Sequence, residues 1–113
     1  MLNYKHPRLA QGQWQKFSLS EQMANIGSEV ERCFKWKRKK QMILANQAFE
    51  RAVELLSLTI LSYRTDGAKL KELLRVKECL IDSFAFDNRY SSSVQSWHSY
   101  FRPFNYAARL KVG

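Results

Sequence analysis

A chain of 113 residues, 45% apolar and 26% charged, fits one domain and leaves no room for a second core. Four Gly and two Pro are too few for the many turns of an all-β domain and fit a few long helices. The unusual quantity is the formal charge of +9, from 19 Lys plus Arg against 10 Asp plus Glu, whose uneven spread along the chain favours an anionic partner over a mere solubility device.

Residues 1–17 read as an irregular arm, with Trp14 and Phe17 packed on the domain as a lid and Tyr4 to Arg8 mobile. Ser18 and Glu21 form the S-x-x-E capping box that opens a first helix. From there Leu19, Met23, Ile26, Val30 and Cys33/Phe34 recur at steps of four and three, one buried stripe that runs to about Arg38. Gly27 lies beside the stripe and costs about 1 kcal/mol against Ala, which a close helix crossing would explain. The second helix, near 42–62, carries Ala45, Ala48, Phe49, Ala52, Val53, Leu55, Leu56, Thr59 and Ile60 on a wide apolar arc. Such an arc suits a helix packed on two neighbours. The junction between these helices, near 38–42, has neither Gly nor Pro to fix it.

Thr65-Asp66-Gly67 is a turn signal. A third helix, near 68–86, follows with Leu70, Leu73, Leu74, Ile81 and Phe84 on one face, and with Lys77 inside that stripe, either snorkelling to the surface or paired with a carboxylate at a subunit contact. Serines 91–93 offer an N-cap to a fourth segment, near 93–111, holding Val94, Trp97, Phe101, Phe104 and Ala108. Pro103 should kink this helix near Phe101 or divide it in two. The expected fold is all-α, an up-and-down four-helix bundle over residues 18–113.

Catalysis finds little support. His6 and His98 lie at opposite ends with no ligand-spaced partner, and a zinc site needs about four close-set ligands. His98 reads as half-buried beside the apolar stripe, and Glu29/Arg32 and Glu50/Glu54 read as surface patterning. With no phosphate loop and no glycine-rich dinucleotide motif, no enzyme, metal or cofactor is expected. Cys33 and Cys79 have no CxxC spacing, and the N-terminus has no secretory pattern, so reduced thiols in the cytoplasm are expected. No apolar run approaches the roughly 20 residues that span a bilayer, so no membrane partner is expected.

Charge is distributed unevenly. Residues 1–17 and 18–40 each carry +3, 41–63 carry −1, 64–86 carry +1 and 87–113 carry +3. The densest run is Lys35-Trp36-Lys37-Arg38-Lys39-Lys40, five cations in six residues at a helix end. They favour the negative end of the helix dipole and also form a patch for phosphates, whose contacts dominate nucleic-acid affinity. Trp36 lies off the core stripe, either exposed for stacking on an unpaired base or tucked against the second helix. Arg102, Arg109 and Lys111, among Tyr100 and Tyr106, form a second candidate surface. Fifteen aromatic residues are more than one small core easily absorbs, so a homo-oligomer is expected. The expected function is a non-enzymatic accessory protein that binds RNA or single-stranded DNA. The alternative is an adaptor or regulator whose basic face meets an acidic protein.

The runs Gln22 to Arg32 (QMANIGSEVER) and Ala48 to Leu56 (AFERAVELL) resemble a small bacterial four-helix family. It includes proteins encoded in 23S rRNA intervening sequences and the accessory variability determinants of diversity-generating retroelements. The resemblance spans residues 18–84 and implies a ring-like, non-enzymatic homo-oligomer. It also implies a basic RNA- or DNA-binding surface and a reverse transcriptase as partner.

Overall fold

In a computed structural model, residues 12–112 are described, with side chains as far as Leu110, and they form four helices and no strand. These are α1 (Leu19–Arg38), α2 (Met42–Ser62), α3 (Gly67–Ala85) and α4 (Val94–Val112), preceded by a single 3-10 turn at Trp14–Lys16. The all-α four-helix bundle is as the periodicity requires. Tyr4 to Arg8 lie outside the described residues.

The α1 capping box forms in full: the Glu21 amide donates to Ser18 Oγ at 3.2 Å and the Ser18 amide to Glu21 Oε1 at 2.9 Å. Met23, Ile26, Val30 and Cys33 make its buried stripe. The break after α1 needs no glycine because Lys40 itself takes the left-handed conformation, φ 59°. The Lys40 amide then donates to the Lys37 carbonyl at 3.1 Å and the Gln41 amide reaches back to Trp36 at 2.9 Å. This is a Schellman cap built on lysine.

On α2, Ala45, Ala48 and Ala52 are fully buried. Side chains this small let α1 and α2 approach closely, and Leu55, Leu56 and Leu58 continue the core. Asp66 caps α3 by accepting from the Lys69 amide at 3.2 Å. The apolar stripe of α3 differs from the expected one: Leu73, Val76, Leu80 and Ser83 are buried, whereas Leu74 is exposed. A stripe through Leu70, Leu74 and Ile81 would centre Lys77 in the core. The helix instead turns so that Val76 and Leu80 take the centre and Lys77 stays half-buried at the edge. Ser93 opens α4, its Oγ accepting from the Ser96 amide at 3.0 Å. Pro103 lies inside one continuous α4; the carbonyl it deprives of a donor, that of Ser99, belongs to an exposed residue open to water.

α1 sits between α2 and α4, and α3 packs on α2. Antiparallel to α1, α4 crosses it at Gly27, where an added Cβ would lie 2.8 Å from the Phe101 ring. The crossing inferred from Gly27 is therefore real, and Phe101 is what fills it. Between α3 and α4 the link is through side chains: Tyr100 donates to Glu72 Oε2 at 2.9 Å, and burial first, then this bond, raises the Tyr100 pKa. The end of the arm is part of the core. Trp14 is buried, its indole donates to Thr59 Oγ1 at 2.8 Å, and the Gln22 side-chain Nε2 donates to the Trp14 carbonyl at 2.9 Å. Phe17 covers its edge while staying partly exposed.

Candidate nucleic-acid interface

The last turn of α1 and its cap hold the densest run of cations, because a helix C-terminus carries unpaired carbonyls and a partial negative charge that cations neutralise. Their side chains divide into two sets. Lys35, Arg38, Lys39 and Lys40 are exposed. Lys37 is half-buried and turned inward: its Nζ donates to the Phe84 carbonyl at 3.2 Å and stands 5.2 Å from the Phe84 ring centroid. Phe84 in turn stacks on Phe49 at 4.4 Å and meets Phe34 edge-on. Lys37 thus neutralises the C-terminal end of α3 and ties it to α1, a structural duty that its place in the basic run does not reveal.

Trp36 is half-buried, with the Lys35 and Lys39 ammonium groups 5.5 and 5.6 Å from its ring centroid. The ring is flanked by cations rather than bare. A base that stacks on it has to displace or share one of them, and the indole holds both cations in place meanwhile.

Arg102 and Arg109 are exposed on α4, and the Lys111 side chain lies outside the described residues. The spacing of His98, Arg102, Asn105 and Arg109 at four, three and four puts them on one face of α4. Part of that face borders α1. His98 Nε2 lies 3.4 Å from Glu31 Oε1, and Asn105 and Arg109 share a shallow groove with Ala24 and Asn25. Nearer the other end of α1, a cleft of about 80 Å³ opens between Arg38, Glu31, His98, Asn105 and the rings of Trp97 and Phe101. Cations of α1 and α4 accordingly sit along one seam, Arg38 towards one end and Arg109 at the other.

No family model, curated protein or solved structure matches this chain.

Two expectations about polar residues need correction. His98 is exposed, not half-buried, its side chain 53% accessible, because it follows Trp97 at the border of the stripe and leans towards Glu31 in solvent. Glu29 is buried, not surface patterning. Its carboxylate accepts from both Arg32 and Arg51, joining α1 to α2 and committing two arginines to the fold. Only such pairing makes a buried carboxylate tolerable.

Among the described residues no cluster of His, Cys, Asp and Glu could hold a metal ion, and no helix is long and apolar enough to cross a membrane. Both cysteines are free thiols. Burial pushes the Cys33 thiol up to about 12, against a weaker opposing pull from Lys37, and burial also raises Cys79. Neither is an activated nucleophile. The apolar first turn of α2, Met42-Ile43-Leu44, is exposed directly after the cations in the chain and was not among the expected site residues. Its signal was the run of three large hydrophobes directly after Lys39-Lys40-Gln41. The α1–α4 cleft was not expected either; its Glu31 and Asn105 stand out in sequence by neither type nor spacing.

Proposed function

We propose that this protein binds RNA or single-stranded DNA through the C-terminal end of α1 and the adjoining face of α4, as an accessory subunit without chemistry of its own. The observation that carries this reading is the four exposed cations Lys35, Arg38, Lys39 and Lys40 at one helix end, two of them (Lys35 and Lys39) flanking the half-buried Trp36, and none of the four ion-paired among the described residues as Arg32 and Arg51 are. Phosphate contacts supply affinity but little sequence information, so Trp36 or a partner has to supply the choice of strand. The family resemblance over residues 18–84 points to a reverse transcriptase as that partner. A homo-oligomer belongs to the same reading, supported by the consecutive exposed hydrophobes Met42, Ile43 and Leu44 at the start of α2, because contiguous apolar surface marks contacts.

The rival reading, an adaptor for an acidic protein, draws on the same cations and on exposed Met42 and Ile43. The test is binding of a short fluorescent single strand across a salt series. The nucleic-acid reading expects log affinity to fall linearly with log salt, by about 0.7 units per neutralised phosphate. No measurable binding at low salt, with a defined acidic protein co-purifying instead, would favour the adaptor.

A further inference from the structure

The cleft between α1 and α4 is not needed for phosphate binding, yet its lining is chemically specific. Phe34, Trp97 and Phe101 give it an apolar floor, with Trp97 and Phe101 stacked at 6.0 Å and 22° between ring planes. The rim is polar: Asn105 offers both a donor and an acceptor, and Glu31 and His98, whose Oε1 and Nε2 face each other at 3.4 Å, add a carboxylate and an imidazole. Nothing among the described residues accepts from the Trp97 indole N–H, although Trp97 is more than nine-tenths buried. The volume, about 80 Å³, is several times the roughly 10–15 Å³ that a single water requires on the same measure. It is far too small for a peptide helix. Gly27 is taken up by Phe101, so the space is not a defect of that crossing.

A flat ligand with two apolar faces and a hydrogen-bonding edge matches this site, and Arg38 on the rim would meet an anionic group attached to it. We infer that the α1–α4 cleft receives one unpaired nucleobase of the bound strand, its face on the Trp97 side and its edge towards Glu31, His98 and Asn105. This rests on the nucleic-acid reading and deepens it. Arg38 would hold a phosphate next to that base, and Arg109 would hold the strand where it continues along the seam. A duplex keeps its bases stacked and paired, so the cleft selects single-stranded or looped segments.

The experiment compares the parent with His98→Ala/Asn105→Ala, both substituted side chains being exposed, and with Trp36→Ala. The probes are a short single strand and a base-free sugar–phosphate strand of equal length, titrated by fluorescence anisotropy. The parent should prefer the base-bearing strand by about fivefold or more, the lower end of what one stacked base contributes. The double variant should lose part of that preference while binding the base-free strand as the parent does. Trp36→Ala should leave the part owed to the cleft in place. If the double variant keeps the parent's whole preference, the cleft inference is overturned and the basic surface stands. If the parent binds neither strand, the nucleic-acid reading itself fails, and the cleft inference with it.

Discussion

The two seams that flank α1 are built on different principles. Towards α2 the contact is made by fully buried alanines at 45, 48 and 52 and closed by the Glu29 carboxylate with Arg32 and Arg51. Small residues bring the backbones together, and the charged groups there satisfy one another. Towards α4 the contact is made by large rings around a single glycine. Rings that size hold the helices apart wherever no glycine receives them, so a cleft remains, bordered by Asn105 and by the solvent-exposed contact of His98 with Glu31. Conformational order is concentrated in the first seam, and chemistry that can meet a partner in the second.

Substitution in the α1–α2 seam should cost most. Glu29→Ala removes the shared acceptor of two arginines and should destabilise by about 2–3 kcal/mol, near the range for hydrogen bonds to charged groups. Because Arg32 and Arg51 can turn to solvent, the loss stays below the 3–5 kcal/mol of a stranded buried charge. Urea denaturation checks it, and a change under 0.5 kcal/mol, well below about the 1.5 kcal/mol floor of that range, would demote the pair to decoration. Gly27→Ala tests the other seam. Pressing a methyl against Phe101 costs about 1–3 kcal/mol, offset by about 1 kcal/mol of helix propensity. Phe101→Leu in the same chain should recover part of the loss, and strict additivity of the two would mean they do not touch.

Smaller effects separate the lysines at the end of α1. Lys37→Ala should cost about 0.5–1.5 kcal/mol, since it removes a bond to the Phe84 carbonyl. Lys40→Gly should instead stabilise by up to about 1 kcal/mol, because glycine relieves the left-handed backbone at φ 59°. Equal responses at the two positions would mean that neither is specialised.

A last difference concerns the core stripe that both seams share. A thiol reagent should label half-exposed Cys79 well before Cys33, which reacts only on unfolding. Burial raises the Cys33 thiol from 9.0 to about 12, so the folded state favours its protonated form. That contribution is complete below pH 9 and is lost as pH rises from 9 through about 12. Urea midpoints should fall across this window, and less steeply in Cys33→Ala.

Much of the fold can be read from spacing. The capping box at Ser18, the stripe from Met23 to Cys33 and the turn at Asp66 each follow from one local rule, and tertiary packing agrees with all three. α3 escaped because two stripes compete on it, and the choice depends on where Lys77 can reach water. The α1–α2 junction escaped because its left-handed residue is a lysine, for which no sequence signal exists. At the candidate site, the cation run at 35–40 is visible at once. Which of its members is committed to α3 depends on Phe84, 47 positions further on. Glu29 misled for the same reason, its partner Arg51 being 22 residues away.

Exchanging the four cations at the end of α1 tests most directly whether they bind phosphates. Lys35→Gln, Arg38→Gln, Lys39→Gln and Lys40→Asn together leave the buried stripe and Lys37 intact, and asparagine suits the left-handed position. The folded variant should bind single strands more weakly at low salt, whatever their sequence. Its slope of log affinity against log salt should be shallower by up to about 3 units, or about 0.7 for each phosphate that is no longer neutralised. A folded variant that binds as tightly as the parent at every salt concentration would contradict phosphate binding there.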